Sequence, residues 1–246
     1  VKDINAGNGK VYESGDRVYA SIDPEKDPVI EVNAHDGKNI WICTLTRRQA
    51  LDAWKLELWG QERIILCNGD VFAEDNCLHA RSIGNSQIIL KMFPGIEDGL
   101  ETPLGRLTGR REGIFTVYEL GLPEKDIKID VGRPAADKAV VRIAADAFDG
   151  LDDVYLHIDY MGNVGNAFID GQLVSDNFFN GTQWEIGLKR LGPKVWEKGI
   201  YFHVIPYIEG SDVIFDPDIS FKHHFQGDRT AEIFSVRAVP GYRVLI

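Results

Sequence analysis

The sequence predicts a mostly β protein of two β-sandwich or jelly-roll domains, with one amphipathic helix in the first. Three observations carry that expectation. Apolar and polar residues alternate with period two in many short runs, the pattern of strands that bury one face. Asp-Gly pairs and clusters of glycine and proline separate those runs. The strand–helix alternation of a doubly wound sheet or a (β/α)8 barrel is missing. At 246 residues the chain is long enough for one large domain or two small ones, each with a core.

Residues 29–34 (Val-Ile-Glu-Val-Asn-Ala) read as a strand, 35–38 as a turn and 39–45 as the returning strand. Asp36-Gly37 supplies the positive φ that a tight turn needs. Thr46 with Gln49 makes a capping box, and Ala50, Leu51, Trp54 and Leu58 share an apolar face, so a helix is expected over 46–58. Residues 63–67 and 86–93 read as strands, separated by a polar turn around Glu74-Asp75-Asn76. From 94 to 113, Pro94-Gly95, Asp98-Gly99, Pro103 and Gly105 follow one another with little periodicity, which marks a boundary. The expected division is a β-rich domain over 1–95, a linker over 96–112 and a second β domain over 113–246. In the latter, 113–120, 139–145, 154–160, 184–188, 200–208 and 230–239 read as strands. Residues 166–174 read as a hairpin around Asp170-Gly171.

The net charge is −11, from 27 basic and 38 acidic side chains. An acidic chain repels phosphate backbones, and its densest basic stretch holds only Arg106, Arg110 and Arg111, so nucleic acid is excluded as a partner. No apolar run approaches the ~18 residues of a membrane-spanning helix, and no membrane partner is expected. Cys43, Cys67 and Cys77 lack zinc-ligand spacing; Cys43 and Cys67 lie in apolar runs and read as buried free thiols. The chain opens Val1-Lys2-Asp3, so either a leader has been removed or the chain is a piece of a longer one.

Asp146, Asp149, Asp152 and Asp153 cluster in one stretch, and read as turn and cap acids rather than as the paired carboxyls of a glycosidase. Of the six histidines, His157 and His203 fall on strands. His223 and His224 are adjacent, and on a strand would face opposite sides. Asp216-Pro217-Asp218 offers oxygen ligands for calcium, but reads first as a turn. No metal site and no cofactor are expected, and no catalytic residue is assigned.

The richest segment is 159–190. It mixes Tyr160, Phe178, Phe179 and Trp184 with Asn163, Asp170, Asp176, Asn177 and Asn180. Aromatic faces stack on the C–H faces of sugars while amides and carboxylates bracket hydroxyls, so Tyr160, Asp176, Asn177, Asn180 and Trp184 are the candidate carbohydrate-binding residues. The competing expectation is that the aromatics plug one end of a sandwich. For Trp184 the plug is the expected outcome.

The runs 155–165, 167–181 and 184–190, with 44–54 and 58–66 before them, resemble the carboxy-terminal region of bacterial family 35 β-galactosidase-like glycoside hydrolases. The resemblance implies a galactose-binding-like jelly roll at the carboxy end, preceded by another β domain. It also implies that a catalytic barrel belongs upstream in the same polypeptide. A galactoside or plant-type oligosaccharide becomes the implied ligand, and an extracytoplasmic bacterial compartment is favoured. The expected function is therefore a non-catalytic accessory region that braces the barrel or contacts carbohydrate. The alternatives are a stand-alone lectin-like protein and a small glycosidase with a site between its domains.

Overall fold

The computed structural model describes residues 3–7, 9–26, 29–210 and 227–246. The fold is mostly β, as the alternation predicts. Two compact units divide the chain: 1–82, 87–122 and 244–246 in the first, 83–86 and 123–243 in the second. The expected linker over 96–112, and residues 113–122 after it, lie within the first unit.

In chain order the first unit runs β1 (Asp3–Asn5), β2 (Lys10–Ser14), β3 (Arg17–Ser21), β4 (Val29–Asn33), β5 (Asn39–Cys43), α1 (Arg47–Leu51), β6 (Ala53–Leu58) and β7 (Gln61–Cys67). It continues with β8 (Asp70–Glu74), β9 (Cys77–Ile83), β10 (Gln87–Phe93), β11 (Leu100–Thr102), β12 (Gly105–Leu107), β13 (Arg110–Glu112) and β14 (Phe115–Gly121). A five-stranded sheet in the order β13-β14-β10-β7-β6 is its centre. Alternate residues of β7 and β10 (Ile65 and Cys67; Ile88, Leu90 and Met92) are buried in one core with Leu58, Leu78 and Tyr118.

The helix expected over 46–58 is corrected. Its capping box forms: the Gln49 N–H donates to Thr46 Oγ1 at 3.2 Å and the Thr46 N–H to Gln49 Oε1 at 2.9 Å. The helix nevertheless ends at Leu51, and Ala53–Leu58 is a strand paired with β7 from Ala53↔Leu66 to Leu58↔Gln61. Trp54, Leu56 and Leu58 satisfy period two as well as Ala50, Trp54 and Leu58 satisfy a helical face. The deciding feature is the turn that follows. Trp59 and Gly60 have φ of 53° and 74°, both in the left-handed region that a two-residue hairpin of type I′ requires. The Trp59 N–H donates to Asn76 Oδ1 at 3.0 Å, and the Arg63 guanidinium lies 5.5 Å over the Trp59 ring.

The segment after β10 is held by two polar side chains of the core sheet. Tyr118 Oη accepts from the Ile96 N–H at 2.8 Å and donates to the Ile96 carbonyl at 3.0 Å. Arg63, only 5% exposed, donates to the carbonyls of Pro94 and Gly95. Burial draws its guanidinium below the ordinary arginine value. The loop texture of 94–113 is thus real, but it folds against the first unit's own sheet. Two hairpins had no strand reading in sequence: β2–β3, and β8–β9 around Asp75 and Asn76, both at positive φ. The three cysteines are free; Cys67 is buried, whereas Cys43 is half-exposed rather than buried. Burial pushes the Cys67 thiol up to about 11.

The second unit holds β15 (Ile129–Ala135), β16 (Lys138–Ile143), β17 (Asp153–Met161), β18 (Val164–Ile169), β19 (Gln172–Phe178) and β20 (Trp184–Gly187). After these come α2 (Lys194–Lys198), β21 (Ile200–Ile205), β22 (Tyr207–Ile208), β23 (Arg229–Thr230) and β24 (Glu232–Leu245). A five-stranded sheet, β15-β16-β21-β18-β19, is opposed by antiparallel β20, β17 and β24. Their inner faces share one core: Ala139, Val141, Ala167, Ile169, Ile200 and Phe202 from the first sheet, Val154, Leu156, Ile158 and Ile186 from the second. This is a β-sandwich, with period two doing the sorting. The final residues belong to the first unit, where Ile246 exchanges backbone hydrogen bonds with Leu78 at 2.8 and 2.9 Å. No helix among the described residues is long and apolar enough to cross a membrane.

The Trp59-Gly60 turn yields a clean stability test. A Cβ on Gly60 would meet nothing within 4 Å, so Gly60→Val is expected to cost about 1–2 kcal/mol through backbone conformation alone. Gly121→Val, equally open but not at positive φ, should be near neutral in the same urea titration.

Candidate functional site

Of the candidate residues of 159–190, Tyr160, Asn177 and Trp184 come together, but both rings lie in the core. Tyr160 is 1% exposed and Trp184 5% exposed. Their rings meet edge to face at 5.9 Å, and Trp184 meets Phe202 at 5.6 Å while Tyr160 meets Phe179 at 5.5 Å. Trp184 is therefore the expected plug, seated in the core. Gly165 makes room for it: a Cβ there would sit 2.8 Å from the Trp184 ring and 3.2 Å from Tyr160.

The amides serve the local backbone. Tyr160 Oη donates to the Asn177 carbonyl at 2.8 Å and accepts from Asn177 Nδ2 at 2.9 Å. Asn180 Oδ1 accepts from the Thr182 N–H at 3.0 Å and from Thr182 Oγ1 at 2.6 Å, closing an Asx turn. Asp176 is exposed on β19. Burial, opposed by the bonds from Asn177 and Gly165, pushes the Tyr160 phenol up to about 12.

Of the clustered acids, Asp152 and Asp153 engage their carboxylates locally, and Asp146 and Asp149 their backbone carbonyls. Asp153 Oδ1 accepts from the backbone N–H groups of Val154 and Lys189, both at 2.7 Å. Lys125 Nζ donates to the backbone carbonyls of Asp146 and Asp149 at 2.8 and 2.6 Å. Asp152 lies 3.7 Å from Lys189. The histidines sit in separate places: His157 Nε2 is 2.9 Å from Glu185, His203 Nε2 is 3.5 Å from Asp137, and His79 stacks on Phe72 at 4.7 Å. Among the described residues no three metal-ligating side chains come together. His223, His224 and Asp216-Pro217-Asp218 lie outside the described residues.

A different place offers concave chemistry. On the outer face of the five-stranded sheet, a cavity of about 410 Å³ is lined by Val140, Phe168, Asp170, Lys198, Tyr201 and His203. Val140, Tyr201 and Phe168 are directly opposite one another on three neighbouring strands, so their side chains form one row on one face. Asp170 belongs to the Asp-Gly turn that the sequence marks, and the alternation of 200–205 places Tyr201 and His203 on one side. Which side faces water was not readable without the opposing sheet.

The fold and this face define a mostly β protein whose second unit is a β-sandwich with a concave outer patch. No protein-family model matches the chain, and no curated protein matches it significantly.

Two outcomes follow from the buried cluster. Trp184→Ala is expected to lower stability by about 3–5 kcal/mol, measured by urea unfolding, as for a large aromatic removed from a core. The folded chain holds the Tyr160 proton to about pH 12, whereas an unfolded tyrosine releases it near 10. The resulting stability is fully present below pH 10 and is lost as pH rises toward 12. Unfolding midpoints should therefore fall over that window, and fall less steeply in Tyr160→Phe.

Proposed function

We propose that the chain is a non-catalytic accessory region of a β-galactosidase-like glycoside hydrolase, bracing a catalytic barrel of the same polypeptide. One observation carries the bracing role. In β5 the consecutive residues Ile40, Trp41 and Ile42 are 53%, 48% and 47% exposed, so apolar groups emerge on both faces of a three-stranded sheet. The β2–β3 hairpin is exposed at every residue and carries the stacked pair Tyr12 and Tyr19, with centroids 5.2 Å apart. Small sheets with apolar faces open to water have little independent stability, and such patches mark surfaces that another protein body covers. A large adjoining domain is the cover that this reading supplies.

The resemblance of 44–54, 58–66, 155–165, 167–181 and 184–190 to the carboxy-terminal region of family 35 enzymes supports the assignment to that class of enzyme. The structural role of Asp153, whose carboxylate holds the backbone N–H groups of Val154 and Lys189, favours bracing over catalysis. Hydrolysis would rest on carboxylates of the barrel.

The intact mass of the native gene product tests this directly. It should exceed 27.6 kDa by at least a barrel of roughly 250 residues, and the chain alone should hydrolyse nitrophenyl galactosides no faster than buffer. A native product of this chain's own mass would overturn the proposal. So would turnover that survives repurification and disappears on changing one Asp or Glu.

A further inference from the structure

We propose that the outer face of the second unit's five-stranded sheet binds a neutral sugar ring, in the cavity floored by Phe168 and Tyr201 and rimmed by Asp170, Lys198 and His203. The site deepens the accessory reading and rests on it for its setting, while the ligand class follows from the lining. Ala167, Ile169, Ile200, Phe202 and Val204 point into the sandwich core, so Phe168, Tyr201 and His203, between them on the same strands, point outward. The outer face of an antiparallel sheet is ordinarily polar. Here it carries an aromatic pair, with ring centroids 6.2 Å apart and planes inclined at 43°.

Polar groups without protein partners surround that pair. The Tyr201 hydroxyl, the Asp170 carboxylate and the Lys198 ammonium make no hydrogen bond or ion pair among the described residues. His203 is already matched by Asp137 at 3.5 Å. One free carboxylate and one free ammonium balance, so a ligand of a single charge sign would meet repulsion from one of them. A neutral polyhydroxylated ring satisfies both, accepting from Lys198 and donating to Asp170, while its C–H face stacks on Tyr201 and Phe168. The volume of about 410 Å³ lies at the small end of ligand pockets, ~300–1,000 Å³, which suits a terminal residue rather than an extended chain.

The backbone holds the acid in place. Asp170 and Gly171 have φ of 52° and 75°, a two-residue type I′ turn between β18 and β19 that is more rigid than a longer loop. Gly199 brings the chain after α2 against β16: a Cβ there would sit 2.8 Å from the Val141 carbonyl oxygen. The carboxylate, on the β18–β19 turn, and the ammonium, at the end of α2, thus lie at the same end of the aromatic row, with His203 towards the other.

The test is a heteronuclear NMR titration of the whole chain with methyl β-galactoside and with methyl β-glucoside. Saturable millimolar shifts are expected for at least one sugar at the amides of Asp170, Gly171, Tyr201 and His203, with the Trp184 indole unmoved. Tyr201→Ala and Asp170→Asn should each weaken binding about tenfold or more. Asparagine tolerates the left-handed turn position, so the second variant keeps the test decisive if Tyr201→Ala fails to fold. Absence of saturable shifts with both sugars would overturn the site. Shifts unchanged in Asp170→Asn, or inorganic sulfate binding at these amides more tightly than either sugar, would overturn it too. A failed titration leaves the mass test of the accessory reading untouched, and a native product without a barrel leaves the titration untouched.

Discussion

The Trp184 ring lies where a methyl group on residue 165 would have to be, and the second unit is arranged around that contact. Trp184 and Tyr160 sit on β20 and β17, Gly165 on β18 and Phe202 on β21, so the aromatic cluster ties both sheets of the sandwich together at one place. Dense packing leaves no slack there: the small residue on β18 and the large one on β20 are two halves of one fit. Tyr160 adds a polar anchor, because its buried hydroxyl must find partners and finds them in the backbone and side chain of Asn177. That bond ties β17 to the end of β19.

Because Tyr160, Phe179 and Trp184 are committed to the core, the chemistry left for a ligand lies on the opposite side of the same strands. Period two makes this unavoidable: burying Ala167 and Phe202 turns Phe168, Tyr201 and His203 outward. The cavity on that face and the buried cluster are therefore coupled products of one register. A one-residue slip of β21 would exchange them.

The first unit uses a different device. Its centre is an ordinary alternating sheet, but two polar side chains, Arg63 and Tyr118, reach out of the core to hold the irregular segment after β10. That is why a stretch with the composition of a linker behaves as part of a unit. Its backbone groups would otherwise face water, and the core supplies donors and acceptors instead. The strands nearest the amino terminus leave apolar side chains exposed even though Trp41 meets Phe93 edge to face, the feature on which the accessory role is built.

Local chemistry made part of this legible. The Asp170-Gly171 turn, the Thr46–Gln49 capping box and the alternation of 86–93 and 154–160 involve neighbours in sequence, whose conformational preferences act within a few residues, and they appear within a residue of where the sequence places them. The helix expected over 46–58 stops at Leu51 because Trp54 and Leu58 fit period two and period four alike. The tie was broken by pairing with β7 and by Asn76, seventeen positions away, bonding the Trp59 N–H. The same limit hid the direction of Tyr201. Tyr201 stands between Ile200 and Phe202, and period two turns one of these sets in and the other out. Which face is in depends on the opposing sheet, a long-range contact that only the folded chain supplies.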